Sequence, residues 1–335
     1  MRARGILGDV RAMGLRLLAV AAVLGGLVLP GGVVRATAAE PPRFEVPSPG
    51  TIPLVFVVYG DTRFTQRTDV VNASARRALV GKIASESPAA ILIGGDLVYQ
   101  GSDPRDYQTY RSETAAWSEA KIPVFPALGN HEVKGCAENT DECLENWWSA
   151  FPDLSLRPYR WYSVAIGSNL LALVLDSDAS LKAGSEQRVW FEEQMATAGQ
   201  QVKFILIVMH YPPVRDPIFP HARDEKEIAR YLSRHARSLR AAVLVVGSHV
   251  HNYERYSRGG VTYVVSGGGG AKPVPAPRLF GEQSHLRTAV NFHFLRLTLW
   301  NDRLTGVMVR YDAAKDDLTA AWTEPDAFEI RARPP

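Results

Sequence analysis

The 335-residue chain predicts an α/β (α+β) fold of two sheets stacked face to face, with helices outside. Three observations carry this reading. Short apolar, β-branched runs recur along the chain, and segments of helical periodicity separate them. Five of the runs end in turns bearing Asp, Asn or His, at the strand ends where open α/β sheets place their ligands. Hydrophobic residues make up 46% of the chain, enough for one large domain or two small ones.

Residues 1–38 read as a secretory signal peptide. Arg2, Arg4, Arg11 and Arg16 precede or border an apolar stretch over 17–29, and Ala36-Thr37-Ala38 suits a small-x-small cleavage site. The alternative is an uncleaved anchor, which the breaks at Gly25-Gly26 and Pro30-Gly31-Gly32 disfavour. The expected location is therefore secreted or periplasmic, with membrane contact only through an uncleaved N-terminus. The net charge of +3 is concentrated in this segment, where five arginines face Asp9 alone. The remainder is near neutral, so nothing globally basic argues for nucleic-acid or anionic-membrane binding. Residues 39–52 form a Pro-rich polar leader, and the domain is expected over 53–330.

Within that domain, the runs over 55–59, 90–93, 124–128, 204–209 and 243–246 read as strands. Residues 161–176 read as a hairpin turning at Gly167-Ser168-Asn169, followed by strands over 263–266, 292–300 and 304–311. Helices are expected over 69–85, 106–120, 185–198 and 223–240. The third takes Ser185 as cap and sets Val189, Trp190 and Met195 on one side, while the arginines of the fourth form a solvated face. The run Gly267-Gly268-Gly269-Gly270 lacks the Lys-Ser/Thr of a phosphate loop and reads as a flexible loop or a close backbone approach. The chain's two cysteines, Cys136 and Cys143, suit a small disulfide loop in an oxidising compartment. Trp147, Trp148, Tyr159 and Trp161 are candidates to stack on an aromatic or nucleoside leaving group, although such residues more often pack a core or loop.

The strand ends carry the chemistry. The first reads Gly60-Asp61-Thr62-Arg63, and the second Gly95-Asp96-Leu97-Val98-Tyr99. The third reads Gly129-Asn130-His131-Glu132, the fourth runs directly into His210, and the fifth into Ser248-His249-Val250-His251-Asn252-Tyr253-Glu254-Arg255. Each alone is ordinary turn chemistry. Five together, each after an apolar run, point to a metal site. Alternation along an extended backbone would send His249 and His251 to opposite sides.

These blocks resemble the calcineurin-like metallophosphoesterases, and among them the purple acid phosphatases, over about residues 53–311. The resemblance implies a four-layer calcineurin-like β-sandwich of two mixed sheets flanked by helices. It implies two metal ions, Fe(III) plus a divalent Fe, Zn or Mn. Asp61, Asp96, Tyr99 and His251 would hold the first, and Asp96, Asn130, His210 and His249 the second, with Asp96 as the bridge. Two such ions acidify water and clamp phosphate oxygens. His131 would contact the phosphate and protonate the leaving group. Two positions depart from the pattern. Ser248 stands where the family has glycine. Arg63 stands where many members have a ligating histidine, and it cannot ligate because it stays protonated. Tyr99 would replace the lost donor, and Arg63 is read either as a phosphate contact or as a salt-bridged arginine.

The expected function is hydrolysis of small phosphomonoesters. The alternatives are a phosphodiesterase or nucleotide hydrolase on the same site, and a secreted metal- or phosphate-binding protein without turnover. The loops over 133–159 and 214–223 carry no substrate signature.

Overall fold

Runs of Val, Ile and Leu with no polar interruption belong in parallel strands covered on both faces, whereas alternating runs belong in antiparallel strands with one wet face. The computed structural model, which describes residues 40–48, 53–136, 144–216, 218–274, 292–313 and 321–334, contains both kinds. In chain order the strands are β1 (Arg43–Val46), β2 (Leu54–Tyr59), β3 (Ile91–Ile93), β4 (Val124–Pro126), β5 (Tyr162–Ile166), β6 (Leu170–Val174) and β7 (Phe204–Val208). There follow β8 (Ala242–Gly247), β9 (Tyr253–Arg258), β10 (Val261–Ser266), β11 (Phe292–Leu299), β12 (Arg303–Tyr311) and β13 (Trp322–Arg331). The helices are α1 (Ala73–Ser85), α2 (Pro104–Glu113), α3 (Ala115–Glu119), α4 (Glu145–Ala150), α5 (Glu186–Gln201) and α6 (Lys226–His235).

The strands form two mixed sheets, ordered β1-β5-β6-β7-β8-β10-β9 and β13-β12-β11-β2-β3-β4. In the first, β6, β7 and β8 run parallel; in the second, β2, β3 and β4 do. Their carboxyl ends therefore lie side by side within each sheet, and they carry the polar turns. The period of two sorts the side chains. Leu206, Val208, Leu244 and Val246 of the first sheet join Phe56, Val58, Leu295 and Leu297 of the second in one core. Ile205, Ile207, Val243 and Val245 face the other way, onto Phe191 and Met195 of α5 and Ile228 and Leu232 of α6. Burying each such side chain contributes roughly 1.5–3 kcal/mol.

Several boundaries differ from the sequence expectation, each for a local reason. Residues 43–46, expected in a polar leader, form β1, which pairs in parallel with β5. The first helix starts at Ala73, because the Asn72 side chain takes the cap and accepts from Ala75 N at 2.9 Å. The helix expected over 106–120 starts earlier and breaks at Thr114, whose hydroxyl donates back to Tyr110 O at 2.8 Å. Ser185 does precede α5, but its hydroxyl donates to Ser180 and Lys182 carbonyls and caps nothing. Val189 is exposed, and the buried face of α5 instead carries Trp190, Phe191 and Met195. The fourth expected helix shrinks to α6, with a 3-10 turn after it, and its arginines are exposed. Strands β9 and β13 and helix α4 were not foreseen; Trp147 and Trp148 of α4 are core residues.

The signal-peptide reading over 1–38 and Cys143 lie outside the described residues; Cys136 is disulfide-bonded. Among the described residues no helix is long and apolar enough to cross a membrane.

Candidate metal centre

The turn after β2 is strained. Asp61 and Arg63 adopt positive φ (58° and 46°), as do Asp96 (52°) after β3 and His249 (65°) after β8. Left-handed backbone costs a non-glycine residue on the order of 1 kcal/mol or more, so surrounding bonds must hold it. They do: Asp61 N donates to Gly95 O at 3.1 Å, Arg63 N to Asp96 O at 2.9 Å and Phe64 N to Leu97 O at 2.7 Å. The first two turns are thus zipped together. Glu132 ties in the third. Its buried carboxylate accepts from Asp96 N at 2.9 Å, Gly129 N at 2.7 Å and Val98 N at 3.2 Å. Burial and the charge of Asp96 push the Glu132 carboxyl up, and those three donors oppose the shift.

Asp96 is the hub. Its Oδ1 accepts from His131 N at 3.0 Å and lies 3.3 Å from His210 Nε2. Its Oδ2 accepts from Arg63 Nη2 at 2.9 Å and Nε at 3.3 Å, and lies 3.8 Å from His131 Nε2. Burial alone would raise this carboxyl, but the charges of His210, His131 and Arg63 hold it well below the usual carboxylate range. Arg63 is thus ion-paired to Asp96.

Asp61 is the opposite case. It is fully buried, and among the described residues neither carboxylate oxygen accepts a hydrogen bond; His251 Nε2 is 3.5 Å from Oδ1. A buried carboxylate without donors is costly unless a cation meets it. Ligand atoms of Asp61, Asp96 and His210 lie within 4.8 Å of one another, a spacing that fits a metal ion.

His249 and His251 reach different neighbours, through a left-handed turn at His249 and not through the extended backbone that the alternation argument assumes. His249 Nδ1 lies 3.2 Å from His210 Nε2, which is also 3.0 Å from Asn130 Oδ1. His210 donates its other nitrogen, Nδ1, to Gly94 O at 3.0 Å. His251 instead faces Asp61, and its Nδ1 donates to Lys272 O at 2.7 Å. Burial, then the neighbouring His210, pushes His249 down to about 4. Burial would also lower His251, but the Asp61 charge outweighs it and the group is raised. His131 is lowered, by burial first, and its Nδ1 donates to Tyr99 O at 2.5 Å. The structure therefore brings together Asp61 with His251, and Asp96 with Asn130, His210 and His249.

A family model for calcineurin-like phosphoesterases matches residues 54–253, which include every one of these side chains. This chain belongs to the calcineurin-like phosphoesterase family.

The family is one of phosphoesterases. Solved structures agree on the fold. A purple acid phosphatase from yellow lupin (Lupinus luteus) seeds matches with a TM-score of 0.64 at 17% identity, covering 84% of this chain and 54% of that one. The chain thus spans about half the length of that protein. A dimetal phosphatase from Danio rerio gives 0.56 at 14% identity, covering 83% and 99%. GAP50, the anchor in the inner membrane complex of Plasmodium, gives 0.55 at 16% identity, covering 85% and 90%. At such identities the likeness is one of fold. No curated protein matches at the level of sequence.

The departure from the calcineurin-like pattern at Ser248 now has a physical setting. Ser248 fills space left by two glycines: a Cβ built on either Gly60 or Gly94 would lie 2.3 Å from Ser248 Oγ. That hydroxyl donates to Ser266 O at 3.2 Å. Tyr99 packs against Lys134, Arg67 and His131. Its ring lies under Lys134 Nζ at 3.7 Å, 5.0 Å from Arg67 Cζ and 5.2 Å from the His131 ring. Among the described residues its hydroxyl makes no hydrogen bond to Asp61, Asp96 or His251. The glycine run is a close approach, since a Cβ on Gly267 would sit 2.5 Å from Asp61 Oδ2.

Sequence reasoning missed three supports. Glu132 was quoted in its motif without a role. Tyr211 packs edge-on against His210 (5.1 Å) and His249 (4.4 Å), and its hydroxyl donates to Asp178 Oδ1 at 3.4 Å. The signal was there in Asp176-Ser177-Asp178, a sixth polar strand end, just past β6. Asp326 on β13 accepts from Tyr253 Oη at 2.7 Å and from Arg255 Nε and Nη2 at 2.7 and 2.9 Å, which fixes the segment following His251.

Proposed function

We propose that this protein is an exported binuclear-metal phosphoesterase acting on small phosphomonoesters. The observation that carries the reading is the pairing of a donor-free buried carboxylate, Asp61, with a shared one, Asp96, beside three histidines and Asn130. Asp61, Asp96, Tyr99 and His251 are assigned to one ion and Asp96, Asn130, His210 and His249 to the other, as iron(III) plus divalent iron, zinc or manganese. Such a pair, when bound, acidifies water and neutralises phosphoryl charge. The chain supplies the rest. His131 has Nδ1 committed to the Tyr99 carbonyl, which leaves Nε2 on the side of Asp96; burial lowers the ring, so it holds a proton there for the leaving oxygen at acidic pH. Glu132 and the zipped turns fix the spacing of the donors. Export is inferred from residues 1–38, and a disulfide at Cys136 supports an oxidising compartment.

Turnover of a chromogenic phosphomonoester and a chromogenic diester by the metal-loaded protein tests this. The reading expects the monoester to be cleaved with the higher kcat/KM. Preferential diester cleavage replaces it with a phosphodiesterase, and cleavage of neither replaces it with a binding protein.

A further inference from the structure

The two buried aspartates are served differently by the chain. Among the described residues Asp61 has no donor on either oxygen, whereas both oxygens of Asp96 are engaged. The partner of Asp96 Oδ2 is Arg63, which brings two nitrogens to that one atom and keeps its charge at any working pH. Arg63 is held to this task by its own main chain. Its N–H donates to Asp96 O at 2.9 Å, its carbonyl accepts from Arg76 Nη1 at 3.0 Å, and its φ of 46° turns the side chain back onto the second strand end. Its side chain is only 15% exposed, so water and salt screen the pair weakly. An ion that takes Asp96 Oδ2 must therefore displace a fixed cation, while one arriving beside His210 meets Asp96 at Oδ1, which Arg63 does not touch.

We propose that Arg63 is a positioning residue that competes with metal for Asp96, so that the two ions load in order, the first beside His210 through Oδ1 and the second beside Asp61 as Arg63 gives up Oδ2. This rests on the two-metal reading above. It also explains how an arginine can occupy a position where a ligand would be expected. It serves as a counter-ion that keeps Asp96 paired before the second ion arrives, and its freed guanidinium then adds positive charge at the site for the phosphate.

Calorimetric titration of metal-free protein with Zn²⁺, using wild type, Arg63→Gln and Arg63→Lys, tests it. Wild type should take two equivalents in two resolved steps. In Arg63→Gln the weaker step should tighten about tenfold, the scale of one charge-assisted hydrogen-bonded pair. Metal-free Arg63→Gln should melt below wild type, because Asp96 has lost its counter-ion. Arg63→Lys, which keeps the charge but not the two-nitrogen contact, should fall between the two in both measurements; it also keeps the test decisive should Arg63→Gln fail to fold. Two resolved steps in wild type with an unchanged or weaker second step in the variants overturns this proposal and leaves the two-metal reading standing. A single merged step in wild type also overturns it. Fewer than two equivalents in wild type overturns both.

Discussion

Replacing Gly94 by alanine isolates the contact that distinguishes this chain from its family's pattern. The new Cβ would sit 2.3 Å from Ser248 Oγ and 3.3 Å from Ser248 Cβ, with Met209 O next at 3.8 Å. Gly94 is not among the glycines with left-handed φ, so alanine meets no backbone strain there. The cost is overpacking, roughly 1–3 kcal/mol. Ser248→Gly alone loses the hydrogen bond to Ser266 O and adds backbone freedom, together about 1–2 kcal/mol. In the double variant the clashing atoms are gone and only the 3.8 Å contact remains, so the two costs should not add. Urea melts of the four proteins should show a favourable coupling of about 1–3 kcal/mol. Gly60→Ala should be rescued less by the same partner, because its Cβ also meets the Gly94 carbonyl carbon at 3.1 Å. Gly94→Ala should also weaken metal binding, since Gly94 O orients His210. Additive costs in the cycle would refute the account of Ser248 as the residue that fills the space of two glycines.

His131→Ala should leave metal content near normal and lower kcat by about 10²–10⁴, measured with the chromogenic monoester. A change confined to KM would assign His131 to uniform substrate binding. If Tyr99 ligates iron(III), the oxidised iron-loaded protein should absorb in the visible and lose that band in Tyr99→Phe; a colourless wild type removes Tyr99 from the ligand set. Burial, then Asp176, pushes the Asp178 carboxyl from its ordinary 3.8 up to about 6. The folded state thus holds the proton more tightly, so this group's stabilisation is present below its unfolded value and is lost as pH rises through about 6. Metal-free wild type should lose up to about 3 kcal/mol relative to Asp178→Asn over that window, read from urea midpoints; a constant difference between pH 4 and 7 would contradict it.

The strand ends were legible because each polar turn follows an apolar run that has no other interpretation than a buried strand. Asp61, Asp96, Asn130, His131, His210, His249 and His251 all follow from that pattern. What was not legible depends on partners far away in the chain. Glu132 reaches back 36 positions to Asp96 N, and Asp326 lies 73 positions beyond Tyr253, so neither role has a local signature. Strand β1 is four residues long with exposed and half-exposed positions, and only its parallel partner β5 makes it a strand. The break at Thr114 turned on one hydroxyl competing for a helix carbonyl. Tyr211 could have been suspected from the Asp176-Ser177-Asp178 end, but its edge-on contacts with two histidines are purely tertiary.

Metal content tests the shared carboxylate most directly. Wild-type protein, stripped and reloaded, should hold two equivalents per chain, and Asp96→Asn should lose most of both because one side chain serves the two groups of donors. Two full equivalents retained in Asp96→Asn would contradict the bridge and, with it, the reading of this site as a binuclear centre built around Asp96.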